Sequence, residues 1–109
     1  MRFILSMVAI VGLSTPSVAD VIAISEVQRG QTVTVQGTVD HFFDSDEIRL
    51  RDESGTLRVY LGPDILPIES GERLRISGIM DNDLFLNELY AREVTRADGT
   101  VIEIDRRDE

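Results

Sequence analysis

The chain has 109 residues, no cysteine, and 20 acidic against 11 basic residues, for a net charge of −9. The lack of cysteine excludes disulfides, a thiol nucleophile and a thiolate-bound metal. The charge repels polyanions at long range and disfavours general nucleic-acid binding, which draws most of its affinity from neutralised phosphates.

Residues 1–19 read as a cleaved secretory signal. Arg2 gives a positive start, and residues 3–13 are almost unbroken apolar. Ser14, Thr15 and Pro16 end that run, and Ser17-Val18-Ala19 sets small residues at the two positions a signal peptidase inspects. The run falls short of the about 20 apolar residues of a membrane span. Without the signal 90 residues remain, and because Arg2 is the only charge lost, their net charge is −10. The expectation is a periplasmic protein with one domain over residues 20–104 and a charged tail over 105–109. That size is near the lower limit for a self-sufficient core.

Ser25-Glu26-Val27-Gln28 fits a capping box with Ser25 as N-cap, and Gly30 can end that single turn. Val33, Val35, Gly37 and Val39 then alternate with Thr32, Thr34, Gln36 and Thr38, the period of a half-buried strand. Gly37 in its middle predicts a bend or bulge. Residues 40–47 read as an acidic loop carrying His41, Phe42 and Phe43. A second strand sets Ile48 and Leu50 inward, with Glu47, Arg49 and Arg51 outward. Asp52-Glu53-Ser54-Gly55 is a turn. The third strand sets Leu57, Val59 and Leu61 inward, with Arg58 and Tyr60 outward, and Gly62-Pro63 stops it. Residues 64–68 are expected to form a helical turn. Leu74, Ile76, Gly78 and Met80 mark a fourth strand. Residues 84–94 read as a fifth, whose apolar phase slips between Leu86 and Leu89 and so predicts a bulge. Asp98-Gly99 is a hairpin signal that returns Val101, Ile102 and Ile104 as a short sixth strand.

Five or six short strands with one or two helical turns predict an all-β fold, a small Greek-key barrel whose closure removes the exposed edges. The rival is an open sandwich, which wants about seven strands and about 100 residues.

Three segments carry a resemblance: Val33-Thr34-Val35-Gln36-Gly37-Thr38-Val39, the run of residues 48–59 from Ile48 to Val59, and Leu74-Arg75-Ile76-Ser77-Gly78-Ile79-Met80-Asp81. Over residues 24–95 the chain resembles the bacterial OB-fold family of small exported stress-tolerance proteins. The strand–Asp-x-x-Gly–strand element also occurs in cytoplasmic nucleic-acid-binding OB domains, and the signal segment favours the exported family. The resemblance implies a non-enzymatic periplasmic binding module linked to envelope stress, and it carries no catalytic residue over.

The candidate ligand surface is the outer face of the second and third strands. If these pair across the turn, Arg49 lies opposite Arg58 and Arg51 opposite Thr56, with Tyr60 on the same face. Facing like charges are mildly destabilising unless an anion joins them, and guanidinium forks suit carboxylate or phosphate. The plainer reading is an ordinary solvated face neutralised by Glu47 and Glu53. A weaker candidate is a Ca²⁺ site built from Asp44 and Asp46 with Asp81 and Asp83, since the two loops would flank one cleft. Asp and Asn are also default turn formers. His41 beside Asp40 and Asp44 is a possible pH reporter, or a plain surface histidine. Phe42 and Phe43 are expected to plug the barrel end and pack the loop, with a stacking platform as the rival. No G-x-S-x-G, phosphate loop or zinc spacing is present, so no catalytic residue and no cofactor is expected. The partner is expected to be a small envelope ligand or a protein. The alternative is a single-stranded nucleic acid, which calls for exposed aromatics and a basic groove.

Overall fold

The computed structural model describes residues 20–63, 65–82 and 88–104. Six strands follow in chain order: β1 (Thr32–Asp44), β2 (Glu47–Asp52), β3 (Gly55–Tyr60), β4 (Arg73–Met80), β5 (Glu88–Arg96) and β6 (Val101–Glu103). They pair in the order β3-β2-β1-β4-β5-β6, and an added parallel pairing of β3 with β5 closes the first five into a barrel. The periodicity of the sequence is the cause. Val33, Val35, Val39, Ile48, Leu50 and Val59 all point inward and are buried, together with Leu74 and Ile76 of β4.

β1 is long because two neighbours use different halves of it. Residues 32–38 pair with β4 and residues 38–44 with β2. Gly37 sits beside the handover, where a Cβ would run into the carbonyl oxygen of Arg51. The bend expected at this glycine is therefore a close backbone approach that no side chain permits. β5 gives one edge to β4 and divides the other, with Glu88–Tyr90 pairing with β3 and residues 93–95 with β6.

Several expectations need correction. Residues 40–44 are not a loop: β1 runs through them to Asp44, and only Ser45 and Asp46 form the turn into β2. The acids do not break the strand because Asp40 is neutralised by arginines of β2. The turn near Ser25 is a 3-10 turn over Ile24–Glu26, with Ala23 at its N-cap and no side-chain cap. Its free amides go to the β2–β3 turn instead: Ile24 N–H donates to Asp52 Oδ2 at 2.9 Å and Ser25 N–H to Ser54 Oγ at 2.9 Å. Residues 65–69 have no helical turn. Pro67 holds Leu66 away from helical angles and lacks an N–H, while Ile68 buries its side chain in the core. β5 has a bulge at Arg92, between the pairs Ser77–Glu93 and Gly78–Ala91, while the bulge expected between Leu86 and Leu89 falls on a stretch that is in part outside the described residues. The start of the predicted fifth strand, residues 84–87, lies outside the described residues. The hairpin at Asp98-Gly99 and the sixth strand form as expected, with Gly99 at φ +94°.

A candidate ligand-binding face

The β2–β3 turn fixes the register of the proposed surface. Asp52 Oδ1 accepts from the amides of Ser54 and Gly55 and from the Ser54 hydroxyl, at 2.7, 3.1 and 2.6 Å. Burial opposes the charge on this carboxyl, yet those bonds and the one from Ile24 hold its pKa below the ordinary value. No bulge interrupts the ladder, so Arg49 stands opposite Arg58, Arg51 opposite Thr56 and Glu47 opposite Tyr60. The structure thus brings Arg49, Arg51, Arg58 and Tyr60 together on one face.

What the sequence did not reveal is how β1 adds to that face. Its pairing with β2 skips two residues, Asp40 and Phe43. Each skip lets two consecutive residues keep to one side, which is how bulges re-aim side chains. Asp40 turns to β2, where Oδ1 accepts from Arg49 Nε at 2.7 Å and Oδ2 lies 2.6 Å from an Arg51 Nη. The hydrogen bond from Arg49 leads the effects that hold the Asp40 carboxyl below the ordinary range, against its burial. Phe42 turns inward and packs against the core. Phe43 turns outward and places its ring under Arg58, whose guanidinium carbon is 3.8 Å from the ring centre. His41 meets the same ring edge-on at 4.9 Å. The one sequence signal for this arrangement is the loss of period two after Val39.

β5 supplies the far rim. The Tyr90 ring meets Tyr60 edge-on at 6.0 Å, and its hydroxyl donates to Asp81 at 3.5 Å. Gly62 leaves the space that Tyr60 fills, since a Cβ there would collide with the ring. Glu88 is the Cα partner of Arg58 and is buried. Burial, and then the neighbouring Glu47 carboxyl, push the pKa of Glu88 up to about 7. The parallel β3–β5 pairing that brings it here leaves no local mark in the sequence.

Among the described residues the candidate cation ligands do not form a cluster with one another. Asp44 Oδ1 accepts from the Ser45 amide at 2.8 Å, which is turn chemistry. The Asp46 carbonyl accepts from the Leu61 amide at 2.7 Å. Asp81 is engaged by Tyr90, and Asp83 lies outside the described residues. Among the described residues no group of three or more His, Asp or Glu side chains is placed to hold a metal ion. No helix among them is long and apolar enough to cross a membrane.

No protein-family model and no curated protein sequence matches the chain. Solved structures do. A hypothetical protein of E. coli, YgiW, superposes with a TM-score of 0.62 at 21% identity, covering 79% of this chain and 98% of YgiW. The telomere capping protein Ten1 of Saccharomyces pombe gives 0.57 at 23% identity, covering 73% and 82% of the two chains. A chain of the S. pombe Stn1–Ten1 complex gives 0.58 at 23%, covering 79% and 83%. The chain has the OB fold. In OB barrels the outer face of the second and third strands is a recurrent site for oligonucleotides and oligosaccharides. Here that face holds the three arginines, with Phe43 and Tyr60 beside them.

Proposed function

We propose that this OB barrel is a non-enzymatic binding module, exported to the periplasm through residues 1–19, that takes an anionic ligand on the outer face of β2 and β3. One observation carries the reading. Three guanidiniums, Arg49, Arg51 and Arg58, converge on two carboxylates, Asp40 and Glu47. In a chain of net charge −9 this is a local excess of positive charge. The side chains of Arg49 and Arg51 keep 42% and 59% of their surface in solvent, so their outer N–H groups are open to a carboxylate, phosphate or sulfate. The ligand is a small acidic component of the envelope or an acidic segment of a protein there. A role in envelope stress tolerance rests on the sequence resemblance described above.

The test is a titration of the protein with citrate and with a sulfated oligosaccharide, followed through the side-chain N–H signals of the three arginines. Saturable shifts confined to this face are expected. Shifts absent with both anions overturn the reading.

Binding of single-stranded nucleic acid is the second reading. It is favoured by Phe43, an exposed ring stacked on Arg58 within the arginine group. It accords with the fold likeness to a telomere capping protein. Filter binding of single-stranded DNA at low salt separates the two. Tight, salt-sensitive retention would replace the small-anion reading with this one.

A further inference from the structure

Where β3 meets β5, two buried side-chain atoms lack a hydrogen-bond partner, and they are the only such atoms among the described residues. They are Nε of Arg58 and Oε2 of Glu88, on residues that are Cα partners across the seam. Glu88 is 8% exposed. Beside it stands Glu47, whose Oε2 lies 3.2 Å from Arg58 Nε in an ion pair without hydrogen-bond alignment. A buried carboxyl with an unpartnered oxygen and a second carboxylate beside it favours its neutral form. Glu88 is therefore the member of this cluster that takes up a proton, directly behind the guanidinium that the binding face presents.

We propose that Glu88, beside the Glu47–Arg58 ion pair, is a proton latch on Arg58: with a proton on Glu88, Arg58 is answered by one charge and the face accepts an anion, and without it Arg58 is answered by two and the face rejects one. The proposal rests on the reading of this face as an anion site and adds its regulation. The charge count makes the case. With the proton, three guanidiniums stand against the carboxylates of Asp40 and Glu47, an excess of one positive charge. Without the proton, Glu88 cancels that excess.

Every packed element adds charged or titratable groups. β1 brings Asp40 and His41, β2 brings Glu47 and Arg49, and β3 brings Arg58 and Tyr60. The end of β4 brings Asp81, and β5 brings Tyr90. Asp81 favours the proton on Glu88 and Arg58 opposes it, while burial of Glu88 outweighs both. The transition is centred near neutrality, at about 7. By linkage an anion that binds better with Glu88 protonated also draws the proton in.

The experiment uses inorganic sulfate, which stays dianionic from mildly acidic to mildly alkaline pH, so its own charge does not vary. The protein carries His41→Gln, because His41 packs against Phe43 on the same face and the comparison is to isolate the Glu88 carboxyl. Sulfate is titrated at about pH 5.5 and about pH 8.5 through the arginine Nε–H signals, and the Glu88 side-chain carboxyl carbon is followed across the same range. One unit of charge a few ångströms from the anion corresponds to about tenfold in affinity. Binding is expected to be about tenfold tighter at the lower pH. Adding Glu88→Gln, a neutral isostere, should hold the tight state at both values. Glu88→Leu, uncharged and of similar size, serves the same purpose if that variant does not fold. Equal affinity at both pH values in His41→Gln overturns the latch and leaves the anion face standing. No sulfate binding at either pH, with a Glu88 carbon that still titrates near neutrality, overturns the anion face itself.

Discussion

Arg49 and Arg58 face each other directly across the β2–β3 ladder, and each is held by a different acid, Asp40 and Glu47. Neither acid bridges the two arginines. The like charges therefore remain opposed and share the need for an anion between them. Replacing both by alanine should abolish citrate or sulfate binding. The two ion pairs are only partly exposed and their acids lose a partner, so stability should fall by about 1–2 kcal/mol. Calorimetric titration and a urea melt of Arg49→Ala with Arg58→Ala check the two halves separately.

Asp40 restrains the same face. Its side chain is 11% exposed and ties down Arg49 and Arg51 together. Asp40→Asn removes a charge while keeping the shape. Anion affinity should rise several-fold because two guanidiniums lose their internal partner, and stability should fall by about 1–2 kcal/mol for the weakened charge-assisted bonds. A variant that binds anions more weakly than the parent would contradict the charge balance argued for this surface.

Stability should peak at mildly acidic pH. Glu88 holds its proton more tightly when folded, at about 7 against 4.5. Its contribution is complete below 4.5, declines as the pH rises, and is lost above about 7. At about 1.36 kcal/mol per pKa unit the change is at most roughly 3 kcal/mol. Asp40, Asp52 and Glu72 act in the other direction. Their pKa values are lowered in the fold, by Arg49 for Asp40, by the Ser54, Ile24 and Gly55 donors for Asp52, and by Arg96 for Glu72. Their stabilisation is present above the unfolded values and is lost as the pH falls through the folded ones. Thermal melts should therefore give a maximum near about pH 5. Glu88→Gln should remove the decline between pH 5 and pH 8 and leave the acid limb unchanged.

Two glycines are fixed by backbone contact. A Cβ on Gly37 meets the Arg51 carbonyl, and one on Gly78 meets the Tyr90 carbonyl. Neither obstacle is a side chain that can swing away. Gly37→Ala and Gly78→Ala should each destabilise by about 2 kcal/mol or more through overpacking. Gly71→Ala, with open space around the site but φ +88°, should show a smaller loss from backbone strain alone. Urea midpoints of the three variants give the ranking.

Asp52 joins the N-terminal lead to the barrel. Its carboxylate accepts from Ile24, Ser54 and Gly55. Asp52→Ala should free the Ile24 amide for hydrogen exchange, while the β1–β4 ladder exchanges as before.

The strand pattern was readable wherever one face is apolar. Val33 to Val39, Ile48 and Leu50, and Leu57 to Leu61 alternate cleanly, because a half-buried strand must do so. The opposition of Arg49 and Arg58 followed from counting across a tight turn. The extension of β1 through Asp40 was hidden because acids usually mark loops, and it is the arginines of another strand that hold this one in the ladder. Glu88 was hidden for a different reason. It meets Arg58 through a parallel pairing between strands about thirty residues apart, and such pairing has no local signature. The helical turn expected over residues 64–68 gave too little weight to Pro67 against the apolar residues around it.

The two extra residues of β1 mean that the chemistry of the outer face is stored partly as length. Asp40 and Phe43 reach the arginines because the strand is two residues longer than its partner requires. Deleting either would close its own bulge and withdraw a carboxylate or a phenyl ring, with every remaining residue identity intact. A scan of point substitutions would miss this sensitivity, and a scan of single-residue deletions between Gly37 and Glu47 would find it.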